Sequence, residues 1–393
     1  MTTTTIELSS VIKDIAAGPF GSNLKVSCFV EDGFPIIDGA NLKGLKVTDN
    51  VTKFVTEEKA RSLHRAIAKR GDVVVTISGT LGQIAYIPQN SKYEEYLVSQ
   101  RQFRVTFDES KVSVPYLVYY FHTFEGQNKI LAFASQVGVP ALSQPLKNFR
   151  QITLDLPSLE IQQKIANMMD SITQKIENNS AINNNLEQQA KALYNQMFLA
   201  KASDDWTQGV LSDIADITMG QSPSGDSYNE EGIGTIFYQG RAEFGTRFPS
   251  QRLCTTQPKR MACENDVLMS VRAPVGDLNV AREDCCIGRG LASIRSKDNH
   301  QSFVLYTMFA LQLELDKFNG EGTVFGSINR DSLNKMPIII PSIDTMDQFE
   351  SVVAPMDAQI RTNHEENLRL EAIRDALLSK LMSGELDVSE VDI

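Results

Sequence analysis

Between Leu159 and Leu199, apolar residues recur every seven positions without an intervening proline or glycine. One seam runs Ile165, Ile172, Asn179, Leu186, Leu193; its partner runs Met169, Ile176, Asn183, Ala190, Met197. These are the a and d positions of a coiled coil. The pattern requires a helix of roughly 40 residues, about 60 Å long at ~1.5 Å per residue. A rod of that length has no core of its own and has to lay its seam on something else.

The 393-residue chain is too long for one ordinary core and accommodates two domains plus helices. The start, MTTTTIELSS, lacks a basic stretch followed by an apolar run, so no signal peptide is expected, and no run approaches ~20 apolar residues, so no membrane association is expected. Five cysteines (Cys28, Cys254, Cys263, Cys285, Cys286) form no CxxC pair, and four histidines are widely spread; the expectation is free thiols in a cytoplasmic protein and no metal site. The net charge of −11 is unevenly distributed. Residues 1–158 hold 17 basic and 15 acidic side chains, residues 201–341 hold 14 and 18, and residues 342–393 hold 4 and 12. This argues against a general polyanion binder working by bulk attraction, and neither requires nor excludes a specific nucleic-acid site.

The chain then repeats itself. Val11-Ile12-Lys13-Asp14-Ile15-Ala16 matches Val210-Leu211-Ser212-Asp213-Ile214-Ala215, and Gly71 to Thr76 matches Asn265 to Ser270. Leu154-Asp155-Leu156-Pro157 matches Ile338-Ile339-Ile340-Pro341. This is a diverged internal duplication. Within the first copy, Phe34–Ile37, Asp72–Ile77 and Ile152–Leu156 read as strands, and Ala60–Lys69 and Pro115–Phe124 as short helices. Asp14 and Asp213 read as turn or cap residues.

The rod is duplicated too. A second seam runs Phe349, Met356, Asn363, Leu370, Leu377, beside Val353, Ile360, Asn367, a displaced Arg374 next to Ile373, and Leu381. Asn363 and Asn367 lie 184 residues after Asn179 and Asn183. If the rods pack antiparallel, the four asparagines meet at one level; in a displaced register they face Ile or Leu and lose hydrogen bonds at ~1–3 kcal/mol per group. They are therefore candidate register residues. Pro355 would break the second rod unless the helix proper begins there. The expected fold is α+β: two similar mixed domains (1–158 and 201–341) separated by two long helices (159–200 and, together with a C-terminal tail, 342–393) packed as an antiparallel coiled coil. Two similar units on a rod suit a partner with linear repeating geometry such as DNA, or else a coiled-coil adaptor binding only protein partners.

The whole chain resembles the specificity subunit of type I restriction-modification systems. The resemblance rests on the D(V)(L/V)-x-(S/T) strand with a glycine-bearing turn in each half (Asp72 to Gly82, Asp266 to Gly276), on the (I/L)-x-(I/L)-P strand before each long helix, and on the tail Ala376 to Leu386. It implies a non-catalytic reader of a bipartite site in double-stranded DNA, with one target-recognition domain per half-site. It further implies docking of two modification (methyltransferase) subunits and of restriction and translocation subunits. S-adenosylmethionine, ATP and Mg are implied for those partners alone; no cofactor is expected on this chain. The acidic second half departs from what a DNA-facing surface needs. A standalone methyltransferase would carry an Asn-Pro-Pro-Tyr motif, and a nucleotide hydrolase a GxxxxGK(S/T) loop; neither is present, and no catalytic residue stands out.

Base reading needs side chains with paired donors and acceptors on loops held by a rigid domain. Candidate DNA contacts in the first half are Ser22, Asn23 and Lys25, then Ser78, Thr80 and Gln83, and Gln136. In the second half they are Gln221, Ser222, Gln239, Arg241 and Arg272. Arg101 and Arg289 follow the central strands and read either as phosphate contacts or as members of internal salt bridges. Each of the others reads either as a base contact or as an ordinary surface-loop residue.

Overall fold

The computed structural model describes residues 2–135, 139–200, 206–320 and 326–388. The chain divides into two compact units, Met1–Ile176 with Leu368–Ile393, and Glu177–Asn367. Two long helices, Leu159–Tyr194 and Ile343–Met382, each contribute to both.

In the first unit a four-stranded antiparallel sheet runs in the order Ile12–Ala17, Gln102–Phe107, Val73–Thr76, Ile84–Tyr86. A five-stranded mixed sheet follows the order Phe29–Val30, Phe54–Val55, Phe34–Ile37, Glu95–Val98, Ile67–Lys69. Within it, Phe34–Ile37 and Glu95–Val98 are parallel. The first strand of the unit, Thr4–Glu7, pairs antiparallel with the last, Thr153–Leu156. Apolar side chains from the four-stranded sheet pack on helix Val114–His122, whose Ser113 hydroxyl accepts the Tyr116 N–H and whose Pro115 sits in the first turn. Ile165 and Met169 of the first long helix and Leu381 of the second complete this core.

The second unit repeats the plan. Its four-stranded sheet runs Ala215–Met219, Leu291–Ser296, Val267–Ser270, Leu278–Val280. Its five-stranded sheet runs Tyr228–Asn229, Leu253–Thr255, Thr235–Tyr238, Cys285–Ile287, Met261–Ala262, again with one parallel pair. Thr207–Val210 pairs with Pro337–Ile340 as first strand with last. Identical strand orders in both units make the duplication structural as well as sequential.

The shared Asp of the two strand motifs has a scaffold role. Asp72 is buried, accepts the Lys69 N–H at 2.9 Å and takes the Thr106 hydroxyl at 2.6 Å. Asp266 accepts the Cys263 N–H at 2.9 Å, the Ser293 hydroxyl at 2.5 Å and the Arg295 guanidinium at 2.8 Å. Each carboxylate thus locks a turn to the neighbouring central strand. Burial pushes the Asp72 carboxyl above its ordinary pKa.

Three sequence expectations change. The stretch Ala60–Lys69 is not one helix: the helix is Glu57–Ser62, capped by the Thr56 hydroxyl, and Ile67–Lys69 forms a strand because its edge pairs with Glu95–Val98. Asp14 lies within a strand and its carboxylate bonds Arg104 at 2.6 Å, whereas Asp213 does accept the Val210 N–H at the start of Leu211–Ile214. The Arg104 hydrogen bond holds the Asp14 carboxyl below its usual range. Finally, the second long helix starts at Ile343 and carries Pro355 inside it. An interior proline costs ~3 kcal/mol. Met346, Phe349, Val353 and Ile360, on both sides of it, are all buried in the second unit's core, and each such side chain returns ~1.5–3 kcal/mol. Burial of the flanking turns outweighs the lost backbone bond.

Within the second unit the two long helices run antiparallel, and their asparagines bond across the pair. Asn179 Nδ2 donates to Asn367 Oδ1 at 2.9 Å and to Glu366 Oε2 at 2.7 Å. Asn363 Nδ2 donates to Asn183 Oδ1 at 2.8 Å, and Asn183 Nδ2 donates to the Ile360 carbonyl at 3.1 Å. Shifting both members of the 179–367 pair by the repeat offset of 184 gives the 363–183 pair, so the contact is symmetric under exchange of the two halves. Arg247, buried, ties the globular part of this unit to both helices through Glu187 (3.1 Å) and Asp357 (2.5 Å).

Candidate nucleic-acid interface

In the first unit the strands Ile12–Ala17, Gln102–Phe107 and Val73–Thr76 end together. Gly18 N–H bonds the Gln102 carbonyl at 2.8 Å and Ile77 N–H bonds the Arg101 carbonyl at 2.6 Å, so the loops after two strands and the turn before the third share one edge. Gly18 is needed there: a Cβ would collide with the Ser99 carbonyl. Gly220 meets Gly288 in the same way in the second unit.

A hollow of about 770 Å³ opens at this edge. Its walls come from the end of strand Ile12–Ala17, the following residues 18–21 with Asn23, the His64-Arg65 turn, Ser78, the Gln100-Arg101 turn and Leu146. None of its lining residues is acidic. Arg65 and Arg101 are exposed, and neither guanidinium forms an ion pair among the described residues. In a chain of net charge −11, an acid-free hollow walled by two guanidinium groups is locally favourable to an anion. A second hollow of about 530 Å³ shares Ser78, Gln100 and Arg101 and adds Thr80, Gln83, Gln102, Asp38 and Lys53. Its one carboxylate is neutralised: Lys53 bonds Asp38 at 2.5 Å, and although burial pushes that carboxyl up, Lys53 and the Ala40 N–H hold it below its ordinary value.

The sequence candidates are thus partly gathered. Asn23, Ser78 and Arg101 line the first hollow; Ser78, Thr80, Gln83 and Arg101 line the second. Ser22 and Lys25 are exposed on the same loop but line neither, and Gln136 lies outside the described residues. Both ends of the Gln83 amide are engaged: Nε2 donates to the Gly39 carbonyl at 3.0 Å and Oε1 accepts the Thr76 hydroxyl at 3.1 Å. Gln83 therefore holds the Gly39 turn in place. Arg65, His64, Gln100 and Gln102 were missed, since they come from a stretch read as helix and from a strand start, with no local motif to mark them.

In the second unit the equivalent edge collects Gln221, Ser222, Gln239, Arg272 and Arg289. Gly220 N–H bonds the Leu291 carbonyl, Gln221 N–H bonds the Ile287 carbonyl, and Val271 N–H bonds the Gly290 carbonyl, each at 2.9 Å. Arg289 N–H donates to the Ser222 hydroxyl at 3.2 Å, and the Gln239 backbone packs on Gly288 and Gly290. Gln221, Gln239, Arg272 and Arg289 are exposed, and the two arginines make no ion pair among the described residues. Arg241, in contrast, pairs with Asp277. Asp277 occupies the place of Gln83, as the bonds Ser270 N–H to Asp277 carbonyl and Thr76 N–H to Gln83 carbonyl show. Both units thus tie the same turn to the segment after a central strand, one by an amide, the other by an ion pair. The turn bonds also shift one equivalence: Leu291 N–H to Gly288 matches Gln102 N–H to Ser99, which sets Arg289 opposite Gln100, one residue before Arg101.

Among the described residues no three His, Cys, Asp or Glu side chains group as a metal site, and the five cysteines are free thiols. No helix of the described residues is long and apolar enough to cross a membrane.

Residues 19–188 and 203–372 each match the family described as type I restriction modification DNA specificity domain. The chain is 27% identical over 382 residues to the putative type I restriction enzyme MjaX specificity subunit of Methanocaldococcus jannaschii, covering 91% of this chain and 88% of that one. It is 21% identical over 403 residues to the type I restriction enzyme HindI specificity subunit of Haemophilus influenzae, covering 81% and 87%. Among solved structures, the type I restriction-modification system S subunit from M. genitalium shares the fold, with a TM-score of 0.67 over 97% of this chain and 96% of that one at 14% identity.

Proposed function

The chain belongs to the type I restriction modification DNA specificity domain family, and we propose on that premise that it reads the two halves of a bipartite site in double-stranded DNA, one with each globular domain. The observation that carries this reading is the acid-free hollow beside Arg65 and Arg101, formed where three loops of a rigid sheet converge. Phosphates entering such a hollow fix position, while Asn23 and Ser78 in its wall and Thr80 in the adjoining hollow supply donors and acceptors for base edges. The second domain offers Gln221, Gln239, Arg272 and Arg289 at the same edge of the same fold.

On this reading the chain performs no catalysis. Two modification subunits bearing S-adenosylmethionine dock on the long helices and methylate adenine, and restriction and translocation subunits supply the ATP- and Mg-dependent steps. The paired helices set the unread spacer between the half-sites. The test is to express the chain with its modification partner and map methylated adenines across a host genome. Methylation confined to one bipartite motif is expected; methylation without such a motif, or none, refutes the assignment.

A further inference from the structure

We propose that Phe20 is a stacking wedge, whose ring enters the duplex at a base step of the first domain's half-site and unstacks it. This rests on the DNA-reading assignment and adds to it a specific distortion, confined to one half-site.

Phe20 is 83% exposed, a costly position for so large an apolar side chain. The loop that carries it is firmly seated. Gly18 N–H bonds the Gln102 carbonyl at 2.8 Å, Asn23 N–H closes a turn on the Phe20 carbonyl at 2.8 Å, and Pro19 fixes the backbone just before the ring. Gly21 lies so close to Gln100 that a Cβ there would stand 2.5 Å from its amide oxygen. The backbone that carries the ring is therefore constrained, and the cost of ordering the turn is met before any partner arrives.

The surroundings select the partner. Phe20 lines the hollow that has no acidic wall and that carries the guanidinium groups of Arg65 and Arg101. The ring shares the hollow with apolar side chains such as Leu63, Ile77 and Leu146 and with the Asn23 and Gln100 amides and two guanidinium groups; an apolar side chain beside cations, with no acid in the wall, is the combination of apolar wedge with phosphate contact that proteins use to open a base step. The second domain lacks it. Gly220, bonded to Leu291 as Gly18 is to Gln102, is followed two residues later by Ser222, and the Ser222 hydroxyl is occupied by the Arg289 N–H.

The experiment uses the full chain assembled with its modification subunits and duplexes bearing the bipartite motif found by methylation mapping. Binding is followed by fluorescence of 2-aminopurine substituted in turn at each adenine other than the methylated ones, which a methyltransferase extrudes by itself, and by permanganate reactivity of thymines not paired with those adenines. The expected result is an unstacking signal in one half-site only, lost in Phe20→Ala and kept in Phe20→Trp. Affinity should fall roughly 5- to 150-fold in Phe20→Ala, the range for losing one base–aromatic stack. Because the residue is exposed, Phe20→Ala should fold as the wild type does, which its melting curve will show. Absence of any unstacking signal in the wild type, or a Phe20→Ala variant within two-fold of wild type in both signal and affinity, overturns the wedge while leaving site-specific methylation intact. Loss of subunit assembly in Phe20→Ala with unstacking retained also overturns it and makes the ring a protein contact. Failure of the wild-type assembly to methylate a bipartite motif removes the DNA-reading premise itself, a separately visible outcome.

Discussion

Arg101 and Arg272 are the two residues on which the half-site assignment is most directly tested. They stand in different units, are exposed, and lack acidic partners among the described residues. Arg101→Ala should weaken recognition of one half-site and Arg272→Ala of the other, each by ~1–3 kcal/mol if the guanidinium contacts a base and less, with a shallower salt dependence, if it contacts phosphate. Methylation of substrates mutated in either half distinguishes the two; equal loss at both halves from either variant would refute the division of labour. Arg241 and Gln83 show what a sequence leaves hidden at this scale. Both sit in glycine-rich loops that turn chemistry identifies, yet Asp277 and the Gly39 carbonyl engage them from segments 36 and 44 residues away. Loop position was legible because it follows from local composition. Partnership was not, because it depends on which distant segment folds alongside. Arg65 shows the converse, a group without a motif that the fold delivers to the hollow.

Among elements, the long helices were read most completely. A seven-residue repeat is a property of side-chain spacing alone, and every seam position of the first helix from Ile165 to Met197 is buried or half-buried. What spacing could not supply was the energy balance at Pro355, which depends on the core that Phe349 and Val353 meet. The asparagine level gives this element its own test. Asn179→Ala removes the donor to Asn367 and Glu366 and should cost ~1–3 kcal/mol in urea unfolding. Asn367→Ala should cost a similar amount. The double variant should cost less than the sum of the two singles by ~0.5–3 kcal/mol, because the shared hydrogen bond is then counted once. Strict additivity would mean that the pair contributes nothing specific to the helix register.

For the whole molecule, the two copies of one strand order mean that a single plan is used twice with different loops. The strand orders themselves were beyond a sequence reading: the parallel pairs Phe34–Ile37 with Glu95–Val98 and Thr235–Tyr238 with Cys285–Ile287 join segments some 50 to 60 residues apart, and alternation of apolar residues says nothing of such partners. The ruler role proposed for the helices is a property of this scale. Inserting one turn, about four residues, into both helices lengthens each by ~6 Å, close to two base pairs at ~3.4 Å each. Genome-wide methylation mapping of that variant should return the same half-site letters with a longer spacer; an unchanged spacer would refute the role.

The pairing of Thr4–Glu7 with Thr153–Leu156, and of Thr207–Val210 with Pro337–Ile340, closes each recognition domain on itself. The chain leaves each domain beside the place where it entered. A domain joined to its host through adjacent ends behaves as a cassette: what lies between the clasping strands can be exchanged without moving the ends that the host helices hold. The clasp also has a kinetic side. It joins strands about 150 residues apart in the first domain and 130 in the second, so its loop-closure cost is recovered only after the intervening sheets have formed. Fastening the cassette should therefore be a late event in folding, and the two cassettes should fasten in the order in which their last strands leave the ribosome.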